Sequence, residues 1–249
     1  MLHFKSDLHL HSISSGHAFN TIDEITRFAL TNGYDLVGIA DHGPDMEGAP
    51  HSGYFEMLHR LPDTEGNTRI LYGCEANILN TSGDLDISNE LNVSLDYVIA
   101  GLHKRTSYSG CTEAEHTTAI VSAIRSGYVD IISHPLSLSF TVDVHEIVQA
   151  AAECNVILEA NKTVLINAIS LNRWDIVKLY DSLFCEAQMV GIPLLFGSDA
   201  HHISEMGLLL NEWQLLQDYY HLDLSKLINN QNELVIQFLK DRQAHKKEL

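Results

Sequence analysis

The chain has 249 residues, 45% of them hydrophobic, which supplies a substantial core and suits one barrel of alternating strands and helices spanning 1–249. Its 33 Asp and Glu against 15 Lys and Arg give a formal charge of -18, and no Lys/Arg stripe is visible, so no long nucleic acid is expected as a partner. No apolar run approaches the ~18 residues of a membrane span, and the first motif begins at residue 7, too early for a leader; the expected location is the cytoplasm. Cys74, Cys111, Cys154 and Cys185 are widely spaced without a C-x-x-C, which argues against a disulfide framework or a thiolate metal site and for reduced thiols in or near the core.

Residues 3–8 (HFKSDL) read as a first strand ending in Asp7-Leu8-His9-Leu10-His11, with His17 six residues on. Histidines two apart on a strand end point to the same side and can grip one ion. Thr21-Ile22-Asp23-Glu24 fits a capping box and opens a helix that stops at Gly33. Asp35–Ala40 is a second strand, followed by Asp41-His42-Gly43-Pro44, a shaped loop over 44–53 and a short helix around 54–60. Residues 69–75 form a third strand that delivers Glu75, and Asn80–Asp86 looks like a turn or hairpin. Asp96–Leu102 is a fourth strand delivering His103, and a second capping box at Thr112 and Glu115 opens a helix that stops at Gly127.

Val129–Ser133 is a fifth strand delivering His134-Pro135. A helix from about Val144 to Cys154 leads to a sixth strand, Val156–Ala160, ending near Asn161. Residues 172–190 read as a helix, and Ile192–Gly197 is a seventh strand delivering Ser198-Asp199-Ala200-His201. From about 204 to 240, apolar residues at helical spacing, among them Leu208, Leu209, Trp213 and Leu216, supply closing helices. Seven strand-helix repeats are what a parallel barrel requires, with the loops after the strands gathered on one face.

His9, His11, His17, His42, Glu75, His103, His134, Asp199 and His201 therefore share one rim. Nine side chains are too many for one ion, because zinc usually takes four ligands and catalytic zinc only three from protein; two or three ions sharing a carboxylate fit better. Asp-Leu-His-Leu-His, Asp41-His42-Gly43-Pro44, Gly73-Cys74-Glu75-Ala76-Asn77, Gly101-Leu102-His103, Ser133-His134-Pro135 and Gly197-Ser198-Asp199-Ala200-His201 in series resemble the motifs of the PHP (polymerase and histidinol phosphatase) family. The loop Asp41–Pro50 resembles the YcdX-type bacterial phosphatases within it. The resemblance runs from about residue 5 to 205 and implies a distorted seven-stranded (β/α)7 TIM-like barrel with three divalent ions, described with zinc, manganese or iron. By that resemblance His9, His11, Glu75 and Asp199 hold one ion, Glu75, His103 and His134 a second, and His17, His42 and His201 the third.

Three divalent ions less the charges of Glu75 and Asp199 leave roughly +4 in one pocket of an acidic chain, which suits a compact anion. Ions ~3.5–4 Å apart can hold a hydroxide at neutral pH and neutralise a phosphoryl group, so hydrolysis of a small phosphate ester is expected, with no protein nucleophile. Ser14, Ser15 and Ser198 then read as loop or supporting residues. Asp7 and Asp41 stand beside ligand histidines and read as partners for their second ring nitrogens, or as solvated or strand-capping residues. Lys104 and Arg105 follow His103 and read as contacts to substrate or as a plain surface pair; here the chain departs from the YcdX type, which is acidic after the corresponding histidine.

His51 and His59 sit in or near the loop after the second strand, a possible lid; the remaining histidines, His3, His116, His145, His221 and His245 among them, read as structural or solvated, and Trp174 and Trp213 as core. The rival readings are a nuclease or phosphodiesterase using the same metals, histidinol phosphate as the particular substrate, and a non-catalytic metal-binding regulator.

Overall fold

A computed structural model describes residues 4–207, 210–220 and 227–249. Its strands are β1 (Ser6–Leu10), β2 (Leu36–His42), β3 (Thr64–Glu65), β4 (Thr68–Asn77), β5 (Tyr97–Gly101), β6 (Ile131–Ile132), β7 (Ile157–Asn161) and β8 (Leu194–Gly197). The helices are α1 (Ile22–Asn32), α2 (Ser52–Glu56), α3 (Asn89–Ser94), α4 (Glu113–Arg125), α5 (Val144–Cys154), α6 (Lys162–Ser170), α7 (Trp174–Val190), α8 (Leu210–Tyr220) and α9 (Asn232–Lys246). Seven strands run parallel in the order β1-β2-β4-β5-β6-β7-β8, and short β3 pairs antiparallel with β4 at its start. The expected seven-stranded parallel barrel is the observed one, nearly closed.

Both capping boxes form as the sequence reads, Thr21 with Glu24 and Thr112 with Glu115. The strands run further toward the rim than expected: β2 includes His42, which lies on the strand and not on the loop beyond it, and β4 continues to Asn77, so Glu75 lies within its strand and not at its end. Parallel register places His42 directly opposite Glu75. The 162–190 region is two helices, α6 and α7, broken where Asn172 takes a left-handed φ of 54°. Trp213 is buried against Phe4, with ring centroids 5.6 Å apart, whereas Trp174 is 45% exposed at the start of α7, where its helix face meets solvent and not the core. Cys74 is buried and Cys154 partly so, but Cys111 and Cys185 are exposed, contrary to the core reading. His3, Leu208, Leu209 and His221 lie outside the described residues.

Strands sandwiched between helices and barrel interior are buried on both faces, and every residue of β1, β2, β5 and β7 is buried. Tyr97 fills the interior: fully buried, it donates its hydroxyl to the Leu8 carbonyl at 2.8 Å. Glycines on two neighbouring strands make room for it, since a Cβ at Gly38 would lie 2.3 Å from its oxygen and one at Gly73 2.8 Å from its ring. Below this layer, Ile228, Val235 and Leu239 join Leu8, Leu36, Leu71, Ile131, Ile157 and Leu195 in one apolar cluster, so α9 plugs the end of the barrel opposite the histidine-bearing rim.

The seam between β1 and β8 is stitched largely by side chains. Asn229, fully buried, accepts from Phe196 N at 2.8 Å and donates to Phe196 O at 2.7 Å and to Ser6 O at 3.3 Å. Its own carbonyl accepts from Ser6 Oγ at 2.6 Å. Higher up, Asp7 accepts from the backbone N–H groups of Ser198 (3.2 Å) and Gly207 (2.8 Å). Among the described residues no helix is long and apolar enough to cross a membrane.

Candidate metal centre

The strand ends bring His9, His11, His42, His103 and His134 around Glu75, with Asp199 beside His9 and His11, and His17 and His201 at the edge. His9 Nε2 lies 3.2 Å from Glu75 Oε1 and 3.6 Å from Asp199 Oδ1, and His11 Nε2 lies 3.3 Å from Glu75 Oε2 and 3.2 Å from Asp199 Oδ1. On the other side, His103 Nε2 and His134 Nε2 stand 3.1 and 2.9 Å from Glu75 Oε1 and 3.3 Å from each other. His42 Nδ1 is 2.9 Å from Glu75 Oε2. His17 joins through its ring, stacked 4.9 Å from His42 and 4.8 Å from His201, and His11 and His201 stack at 4.4 Å.

Three overlapping groups have donor atoms close enough to share an ion: His9, His11, Glu75 and Asp199; His42, Glu75 and His103; and His11, His42 and His201. Glu75 and His11 each belong to two of them, and His42 also bridges. His134 and Asp199 hold left-handed backbone, φ 24° and 54°, an uncommon conformation for non-glycine residues.

The buried polar atoms test whether ions fit. His9 Nε2, His11 Nε2, His42 Nδ1, Glu75 Oε2 and Asp199 Oδ1 are all buried without a hydrogen-bond partner, and all belong to this cluster. An orphaned buried group costs ~1–3 kcal/mol, more when charged, so five in one place require a guest that satisfies them together. Two donors bonded to one ion at ~2.0–2.2 Å and at tetrahedral or octahedral angles are about 3.0–3.5 Å apart. The separations of 2.9–3.6 Å above are those of ligands already arranged around cations. Divalent metal ions fit the donor set.

The cluster's electrostatics point the same way. Burial opposes charge on His9 and His11, but the surrounding carboxylates outweigh it, driving His9 well above the ordinary imidazole range and His11 to about 9. Burial likewise works against charge on Glu75, yet His9, His103 and His42 hold it well below the usual carboxylate range. His42 is pushed down to about 3 by burial and by the neighbouring His11. The metal-free cluster thus draws in protons where an ion would otherwise sit.

A surrounding layer fixes the ring orientations. Glu159, fully buried on β7, accepts from His9 Nδ1 at 2.7 Å through one oxygen and from His134 N at 2.8 Å through the other, so one carboxylate steadies both sides of the cluster. Gly197 leaves it space, since a Cβ there would lie 1.8 Å from Glu159 Oε1. Asn161 donates to Asp199 Oδ2 at 3.2 Å. Asp41 accepts from Ser12 N and Ser12 Oγ at 2.7 Å, from Ser15 Oγ at 2.6 Å and from Tyr54 OH at 2.5 Å. Because the single Ser15 hydroxyl proton goes to Asp41, the 3.0 Å contact to His11 Nδ1 requires that nitrogen to donate, which leaves the Nε2 lone pair facing the cluster. Asp41 therefore reaches His11 through Ser15.

Asp7 accepts from the His9 backbone N–H at 3.3 Å and otherwise binds the seam, so it anchors the chain beneath the ligands and not an imidazole. Ser14 Nα donates to Ser12 Oγ. His51 and His202 accept from the backbone N–H groups of Gly53 and Ser204 as local caps, and His59 contacts the Glu56 carbonyl; none of the three belongs to a group close enough to share an ion. Glu159 escaped the sequence reading because it lies within a strand and not beyond it, and Asn161, at the expected strand end, because its amide is not a metal-ligand type. The signal for Glu159 was present: a lone carboxylate inside the apolar run 156–160 demands a buried partner.

A parallel barrel with a histidine and carboxylate cluster on the rim of its strand ends is the class of molecule the geometry defines. The chain belongs to the PHP domain family, whose model matches residues 7–163. It is 35% identical over 96% of its length to a protein of Aeromonas salmonicida named a probable phosphatase, covering 95% of that protein. It is 34% identical over 98% of its length to a probable phosphatase of Proteus mirabilis, covering 96% of it. Among solved structures, histidinol phosphate phosphatase from Lactococcus lactis, complexed with zinc, L-histidinol and phosphate, shares the fold with a TM-score of 0.62 at 18% identity, over 88% of this chain and 94% of that one. With its family, its relatives and this cluster together, the chain is a metal-dependent phosphatase.

Proposed function

We propose that the chain hydrolyses a small phosphorylated metabolite in the cytoplasm, using three divalent ions. His9, His11, Glu75 and Asp199 would hold one, Glu75, His103 and His134 a second, and His17, His42 and His201 the third, with zinc the first choice and manganese or iron as alternatives. The observation that carries this reading is the convergence of histidine and carboxylate side chains on one rim, seven of them in groups close enough to share an ion and five with orphaned buried atoms. The ions would supply Lewis-acid charge for the phosphoryl oxygens and a water made acidic enough to attack. The chain's own part is to hold that charge in fixed geometry: Glu75 bridges, Glu159 and Ser15 fix the rings of His9 and His11, and Asn161 orients Asp199.

Elemental analysis of the purified protein, paired with turnover of p-nitrophenyl phosphate and bis-p-nitrophenyl phosphate, tests it. Two to three ions per chain with faster monoester hydrolysis support the reading. A preference for the diester would replace it with a phosphodiesterase, and retention of at most one ion would overturn the three-ion assignment.

A further inference from the structure

Lys104 and Arg105 stand one and two residues past His103, exposed on the loop after β5, and among the described residues neither has a carboxylate within ion-pair distance. Some surface cations pair with carboxylates, Lys5 with Asp35, Arg125 with Glu153 and Arg173 with Asp175, while Arg60, Arg69, Lys178, Lys240 and Lys247 make no ion pair among the described residues. Of the cations without ion pairs, only Lys104 and Arg105 directly follow a residue of the metal cluster, and in a chain of net charge -18 two adjacent cations there suit an outside anion.

The loop is held in position. Arg105 has φ 65°, a left-handed backbone that disfavours a non-glycine residue. Thr106 Oγ1 donates back to the His103 carbonyl at 2.9 Å. Ser107 donates both its backbone N–H and its hydroxyl, the latter at 2.7 Å, to Asp45 from the loop after β2. Asp45 is itself anchored, its N–H donating to Asp86 at 2.9 Å. Consecutive Cα atoms are ~3.8 Å apart, so both cationic heads reach space within about 10 Å of His103.

The metal cluster already provides the positive charge that a scissile phosphoryl group requires, so this pair is surplus to a simple monoester. We propose that Lys104 and Arg105 form a second anion subsite, which makes the substrate class a small phosphomonoester carrying a second anionic group, phosphate or carboxylate. Asp45 is the positioning residue that holds the loop. This inference rests on the phosphatase reading above and deepens it.

The test uses metal-loaded full-length protein with three matched substrates: phenyl phosphate, 3-carboxyphenyl phosphate and 1,3-phenylene bisphosphate. The expected result is a kcat/KM at least about tenfold higher for one or both doubly anionic substrates, and which of them gains identifies carboxylate or phosphate. In the double variant Lys104→Ala, Arg105→Ala that ratio falls toward one, and Asp45→Asn lowers it through KM, with a salt dependence weaker than that of the parent protein. Equal kcat/KM across the three substrates in the parent, or a ratio unchanged in the double variant, would overturn the subsite. So would a short oligoribonucleotide turned over faster than all three and lost with the double variant, which would assign the pair to nucleic acid. Loaded protein inert on phenyl phosphate would instead break the phosphatase reading; calorimetry with 1,3-phenylene bisphosphonate then decides the subsite alone, supported by tenfold weaker binding in the double variant and overturned by equal binding.

Discussion

At the plugged end of the barrel, Asp130 accepts from Val98 N at 2.8 Å, from Lys246 Nζ at 2.5 Å and from Arg242 Nε at 3.3 Å. Arg242 spends its remaining N–H groups on the carbonyls of Cys154, Gly127 and Val129. At the rim end, equally buried Glu75 and His11 face one another with orphaned atoms. Both ends bury charge; one closes its hydrogen bonding within the chain and the other leaves it open. A satisfied buried network anchors structure, and an unsatisfied one reserves a place for something absent from the polypeptide.

The contrast breaks most sharply at Glu75. Glu75→Ala should lower kcat/KM by more than ~10³-fold and empty more than one metal position, while His17→Ala empties one. Elemental analysis of both variants checks this, and equal metal loss would sink the bridging role. At the other end, Asp130→Ala strands two buried cations and should cost about 3–5 kcal/mol, a fall of roughly 10 °C in Tm for a chain of this size. Its folded fraction should keep its metals; metal loss there would mean the two ends are not independent.

A smaller change sharpens the layer around the cluster. Glu159→Gln keeps an acceptor for His9 Nδ1 but removes the charge, so metal affinity measured by chelator competition should fall about 10- to 100-fold. The smallest effect is in pH. In metal-free protein the raised pKa of His11 means that its charged contacts with Asp199 and Glu75 contribute stability fully below about pH 6.5, and this is lost as pH rises through about 9. Metal-free Tm should therefore decline by a few degrees across that window, while metal affinity rises because fewer protons must be displaced. Parallel melting curves with and without zinc check both signs.

What the sequence made readable follows from where chemistry sits in a parallel barrel. His9, His42, Glu75, His103, His134 and Asp199 each end an apolar run, so periodicity and residue type marked them together. Glu159 has the same chemistry but lies inside its run, and only its contact with His9, 150 residues away in sequence, shows what it does. The β6 strand is two residues long where five were expected, because only Ile131 and Ile132 keep ladder partners on both sides. The short elements β3 and α3 carry too few residues to show a period.

Asn229 gives the molecule a history as well as a shape. The strand bearing His9 and the strand that leads to Asp199 flank the seam that Asn229 latches, with the bonds of Asp7 above it. The seam joins residues as far apart in sequence as Asp7 and Ser198, 191 positions, so His9 and His11 can meet Asp199 only after the chain has passed residue 199. The cluster is thereby a product of contacts between early and late parts of the sequence, which Asn229, 223 residues from Ser6, reinforces.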